Sequence, residues 1–140
     1  MWRYIEDCEN LKISYTVKKA PIKDGVFLHK IKNSILGKKY DLNIYFVGPK
    51  KIKKINQQYR KKDYVTDILS FPFPGDDFGE IYLCMNKVKS KAKLFDTTTE
   101  NYLNYLFIHG MIHLTGLDHG EEMDKLEKKF TKKLNIFYPY

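Results

Sequence analysis

The sequence predicts an α/β (α+β) layer domain: about four mixed strands, helices packed on the sheet, and one central buried helix. Three observations carry that expectation. Short segments alternate polar and apolar residues, longer ones place apolar residues three and four apart, and Thr99 to Leu114 is apolar nearly all round.

Taken in order, Leu11, Ile13, Tyr15 and Val17 alternate with polar neighbours, as a strand with one buried face requires. Asp24 suits a helix N-cap, with Phe27, Ile31 and Ile35 as the apolar stripe and Gly37 as the stop. Leu42 to Val47 reads as a second strand, ended by Gly48 and Pro49. Proline fits a first helical position, where its missing N–H is no loss, and Ile52, Ile55 and Tyr59 then share one face. A third strand is expected over about Thr66 to Phe71. Pro72 to Gly79, with two prolines and two glycines, is expected to be loop. Gly79 to Met85 alternates again and gives a fourth strand. Beyond it the pattern is helical. Val88, Ala92 and Phe95 mark a short amphipathic helix, the apolar segment follows, and Met123, Leu126, Phe130 and Leu134 define a last helix. No repeat, linker or low-complexity tract interrupts residues 1–140, so one domain is expected.

Composition narrows the class. At 43% apolar and 15% aromatic residues, 140 residues suffice for one packed core. No run of 18 apolar residues exists, which excludes a membrane-spanning helix. Met1 to Lys12 carries charges every few positions and lacks the apolar stretch of a secretion signal. Cys8 and Cys84 stand far apart, outside any C-x-x-C pattern, and read as reduced thiols of a cytoplasmic protein. The net charge of +8 is concentrated in basic runs: seven basic residues from Lys50 to Lys62 and four lysines from Lys87 to Lys93, both without acids, then five lysines from Lys125 to Lys133 around Glu127. Such runs attract polyanions through counterion release, so a nucleic-acid partner is plausible. Lysines on solvated helix faces look the same, and charge alone does not separate the two.

The segment His109-Gly-Met-Ile-His113-Leu-Thr-Gly116-Leu-Asp-His119 does more. Three of the chain's four histidines fall at i, i+4 and i+10, with a glycine at i+7. Residues four apart share a helix face, so His109 and His113 project to one point. Gly116 is the natural exit from the helix, and a chain doubling back there brings His119 to the same place. Three imidazoles leave one position open for water, the arrangement of a catalytic zinc site rather than a structural one. One divalent ion per chain, zinc, is therefore expected on His109, His113 and His119. His29 has no such company and reads as a satisfied core residue. The spacing is that of H-E-x-x-H-x-x-G-x-x-H proteases, but Gly110 stands where their general-base glutamate would be.

With that glycine, the segment resembles the H-G-x-L-H-L-x-G-Y-D-H motif of the YbeY family of bacterial endoribonucleases, with Ile112 and Leu117 as mild departures. A second block, Asn56 to Pro72, is similar to the family's L-N-x-x-Y-R-x-x-D-x-x-T-D-V-L-S-F-P, with Ile55 in place of leucine; Gly79-Glu80-Ile81 resembles its G-D-I. The resemblance implies single-strand-specific cleavage of RNA in ribosomal RNA maturation and quality control. It also implies a histidine-bound metal, the small ribosomal subunit and its assembly factors as partners, and a catalytic arginine that maps onto Arg60. A fixed guanidinium suits that role, since its planar fork grips a phosphate at two oxygens. Asp118 could orient a ligand, while Asp67 and Ser70 read as structural. Two rival readings remain at this level: a protease or amidase using the same histidines, and a non-enzymatic ribosome-assembly factor with a structural metal.

Overall fold

Among the described residues of the computed structural model, five strands, one more than the sequence predicts, form a mixed sheet. The structure describes residues 2–73 and 75–140; Met1 in the expected charged N-terminal segment and Pro74 in the expected loop lie outside the described residues. β1 (Arg3–Cys8) and β2 (Leu11–Tyr15) form an antiparallel hairpin. β3 (Asp41–Phe46) runs parallel to β2, and β4 (Ile68–Phe73) and β5 (Phe78–Leu83) pair antiparallel. With β5 parallel to β3, the order is β1-β2-β3-β5-β4.

The extra strand is β1. It is an edge strand, exposed or half-buried throughout, so its charged residues show no buried face for periodicity to reveal. Asn10, at φ 69°, makes the reversal into β2. β4 also runs further than expected, through Pro72 and Phe73, and shortens the expected loop. Proline is tolerated there because an edge strand needs ladder donors on one side only.

Among the described residues, five helices flank the sheet: α1 (Val26–Ile35), α2 (Pro49–Arg60), α3 (Met85–Leu94), α4 (Thr99–Leu114) and α5 (Glu121–Leu134). Asp24 Oδ1 accepts the Val26 N–H at 3.0 Å, the expected start of α1. Its buried face is turned by one residue from the expected stripe: Leu28, Ile31 and Lys32 are inside, and Phe27 is 37% exposed. Lys32 buries its stem while its ammonium donates to the Lys38 carbonyl at 3.0 Å, so a charged residue occupies a position that hydrophobicity rules out.

The two sheet faces carry separate cores. Leu11, Ile13, Leu42, Ile44, Ile81 and Leu83 face one way and pack with α1, α3, α4 and α5. Leu69 and Val47, with Tyr45, Phe71 and Tyr82, face the other way and meet Ile52 and Ile55 of α2. α4 starts on the Thr98 hydroxyl, which accepts the Asn101 N–H at 3.1 Å. It touches β4, α1, α3 and α5, which is why its sequence is apolar nearly all round. Ile108, Met111 and Ile112 are almost wholly buried, a contribution on the order of 1.5–3 kcal/mol each. Close approach to the sheet requires Gly110: a Cβ there would lie 2.8 Å from Ile68 Cδ1 and 3.1 Å from Ser70 Oγ. The result is a helix pinned on all sides, with its C-terminal end free to present side chains.

Candidate metal centre and its cleft

That free end carries His109 and His113. Beyond Leu114 the chain turns at Gly116, whose φ of +99° disfavours any side chain, and returns to place His119 beside the other two. The ring centroids lie 4.6 Å (His109–His113), 5.0 Å (His113–His119) and 5.6 Å (His109–His119) apart. One ring nitrogen from each lies within 4.8 Å of the others.

Two of the three rings are braced. His109 Nδ1 is 2.9 Å from Glu127 Oε2, and a carboxylate can only accept, so Nδ1 is the donor and Nε2 is the nitrogen left to ligate. His113 Nδ1 donates to the Leu117 carbonyl at 2.9 Å with the same consequence. Burial pushes the His113 pKa down, helped by the neighbouring His109, and so favours the neutral, ligating form. Glu127 has a side chain only 4% exposed and also accepts from the Tyr105 hydroxyl. Burial by itself drives its carboxyl up; the hydrogen bonds from His109 and Tyr105 outweigh that and hold it below the usual range. Three clustered imidazoles, two of them held at Nδ1, are a donor set that a zinc-like divalent ion takes. The residues present fit such an ion.

Arg60 ends α2, just before Lys61 enters the left-handed region at φ 59°. Its guanidinium donates to the Ser70 carbonyl at 2.9 Å and lies 5.7 Å above the centre of the Phe71 ring. One cleft of about 370 Å³ is lined by Arg60, all three histidines, Lys62 and Lys91. Arg60 and the histidines, which belong to two separate sequence blocks, thus meet in one space. From the basic runs, Lys62 and Lys91 reach it.

The remaining carboxylates are accounted for. Asp67 accepts from the Tyr102 hydroxyl at 2.9 Å and pairs with Lys91 Nζ at 3.3 Å. Asp118 is almost fully exposed and 3.9 Å from His113 Nδ1; bracing falls to the Leu117 carbonyl and Glu127 instead. Ser70 serves Arg60 through its backbone oxygen. His29 lies on α1, outside this cleft. Sequence reasoning missed Glu127, although a signal existed: Met123, Glu127, Thr131 and Leu134 form the buried face of α5, with a carboxylate in the middle. The position after His109 faces β4 with no room for a side chain, so the glutamate of an H-E-x-x-H protease has no place here.

Comparison with known proteins agrees with this geometry. The family model described as Endoribonuclease YbeY matches residues 9–137. An Endoribonuclease YbeY of Ureaplasma urealyticum is 42% identical over 102 residues, covering 66% of each chain. That of Thermosipho melanesiensis is 37% identical over 106 residues (75% of this chain, 77% of the relative). That of Mycoplasmopsis synoviae is 36% identical over 128 residues (80% and 81%). A solution structure of a Thermotoga maritima protein superposes with a TM-score of 0.63 at 33% identity, covering 89% of this chain and 88% of that one. Motifs, fold and matched length converge: this chain belongs to the YbeY endoribonuclease family.

Proposed function

We propose that the chain acts as one domain over residues 1–140, a cytoplasmic, metal-dependent endoribonuclease that cuts single-stranded RNA. On this reading it serves ribosomal RNA maturation and ribosome quality control, with the small ribosomal subunit and its assembly factors as partners. The observation that carries the proposal is the shared cleft: a three-histidine metal-binding arrangement and an arginine face the same space. His109, His113 and His119 would hold one divalent ion, with zinc the best match to three imidazoles. Such an ion, when bound, polarises a phosphoryl oxygen and lowers the pKa of a coordinated water to about 7.

The chain's own residues do the rest. Arg60 is held by the Ser70 carbonyl and the Phe71 ring, which leaves its other N–H groups to grip a phosphate and stabilise charge growing on it. Lys62 and Lys91 add positive charge along the walls, suited to a polyanionic strand. His109 and His113 are partly buried at the cleft, so a flexible single strand that can bend a phosphate inward suits the site better than a stiff duplex. No helix among the described residues is long and apolar enough to cross a membrane.

Arg60→Glu tests this. It should lower cleavage of single-stranded ribosomal RNA by about 10²–10³-fold, the loss typical of removing one group that stabilises transition-state charge. Metal content and thermal unfolding should stay near wild type. Cleavage at the wild-type rate would make Arg60 a bystander, a surface charge with no part in the reaction.

A further inference from the structure

A second cluster of donors lies where the edge strand meets the first helix. Glu6 and Cys8 stand two residues apart on β1 and so project to one side. A register shift between Tyr4 and Glu6 sets their aim. His29 reaches them from α1. A Cβ at Gly25 would collide with Glu6 Cγ, so glycine at the helix start lets the Glu6 side chain lie against α1.

The three donor atoms form a nearly equilateral triangle: Cys8 Sγ to His29 Nε2 3.4 Å, His29 Nε2 to Glu6 Oε2 3.5 Å, and Cys8 Sγ to Glu6 Oε2 3.6 Å. Zinc bonds of about 2.3 Å to sulfur and 2.0–2.2 Å to nitrogen and oxygen, at tetrahedral angles, place S···N and S···O about 3.6 Å apart and N···O about 3.4 Å. Each observed edge agrees with its ideal to about 0.2 Å. Hydrogen bonding alone does not account for the closure, because one thiol proton and one Nε2 proton can serve two edges of the three. Cys8 Sγ also has the Leu11 carbonyl at 3.6 Å as an alternative acceptor.

We propose that Glu6, Cys8 and His29 form a second divalent-metal site, of a kind suited to zinc, that clasps β1 to α1. Thiolate, carboxylate and neutral imidazole carry two negative charges together, which balance a dication. The thiol proton leaves to solvent as the metal binds, and water takes the fourth position. Cys8 is exposed, and Glu6 and His29 are partly so, which leaves an entry path. The site shares no residue with the cleft and does not depend on the proposed activity.

Cobalt titration of the full chain separates the two sites, because only this one offers sulfur; Cys84 is wholly buried in the α2 core. Wild type should take two equivalents and develop a thiolate-to-cobalt charge-transfer band that saturates at micromolar cobalt. His113→Ala should take one equivalent and keep the band. Cys8→Ser and His29→Gln should each take one equivalent and lose it. Two variants guard against a local folding defect, which circular dichroism would reveal. A wild-type protein without the band, or a band that survives Cys8→Ser, overturns the site. Loss of the cleft equivalent alone would count against the cleft and leave this site standing.

Discussion

The two donor triads of this molecule are built in opposite ways. His109, His113 and His119 are alike in chemistry and close in sequence; the first two sit on a helix enclosed by the sheet and three other helices, the third on the turn that follows it. Glu6, Cys8 and His29 are mixed in chemistry, come from an edge strand and a flanking helix, and lie near solvent. In the first, two of the three rings are oriented from outside the triad, by Glu127 and the Leu117 carbonyl. In the second, the donors touch chiefly one another. The difference teaches what separates a preorganised centre from a site that metal itself would complete: bracing by residues that never touch the ion.

That contrast can be broken at Glu127. Glu127→Gln keeps the volume and can still accept one hydrogen bond, but it removes the charge that fixes the His109 tautomer. Metal affinity at the cleft should fall by about 10–100-fold, as is usual for such supporting partners. Cobalt binding at Cys8 should not change. A competition titration with a chelator measures both. Equal affinities in wild type and variant would mean that Glu127 only fills space.

A smaller effect sharpens the comparison from the packing side. The cleft histidines owe their rigid base to the approach of α4 to β4 at Gly110. Gly110→Ala inserts a methyl into contacts already at 2.8 and 3.1 Å, and overpacking of this kind costs about 1–3 kcal/mol. Higher helix propensity of alanine offsets up to about 1 kcal/mol of that. Denaturant unfolding should therefore show a net loss, accompanied by weaker metal retention at the cleft but not at the edge. A variant more stable than wild type would show that the helix has room to move.

The same contrast explains what the sequence revealed. The cleft histidines were legible because helix geometry converts spacing directly into proximity, and α4 spans the residues its pattern predicted. Glu127 was hidden because an amphipathic reading of α5 follows apolar residues, while its buried face also takes a carboxylate and a threonine. β1 was hidden because an edge strand needs no alternation, and with it went the neighbourhood of Cys8 and His29. Their proximity depends on strand pairing and on the docking of α1, which no local pattern records. Pro72 misled for a related reason: its effect on a strand depends on whether the strand is at an edge, a property of topology. Arg60 became more than one basic residue among seven only through its motif, and the meeting of that motif with the histidines is a tertiary event.

The proposed function assigns metal-dependent RNA cleavage to the three-histidine cleft. The most direct measurement is cleavage of single-stranded ribosomal RNA by RNase-free wild-type and His113→Ala proteins, each before chelation, after chelation, and after zinc is restored. Wild type should cut, stop cutting once stripped, and recover with zinc, whereas His113→Ala should remain at background throughout. Cleavage that persists both in stripped wild type and in His113→Ala would contradict the account.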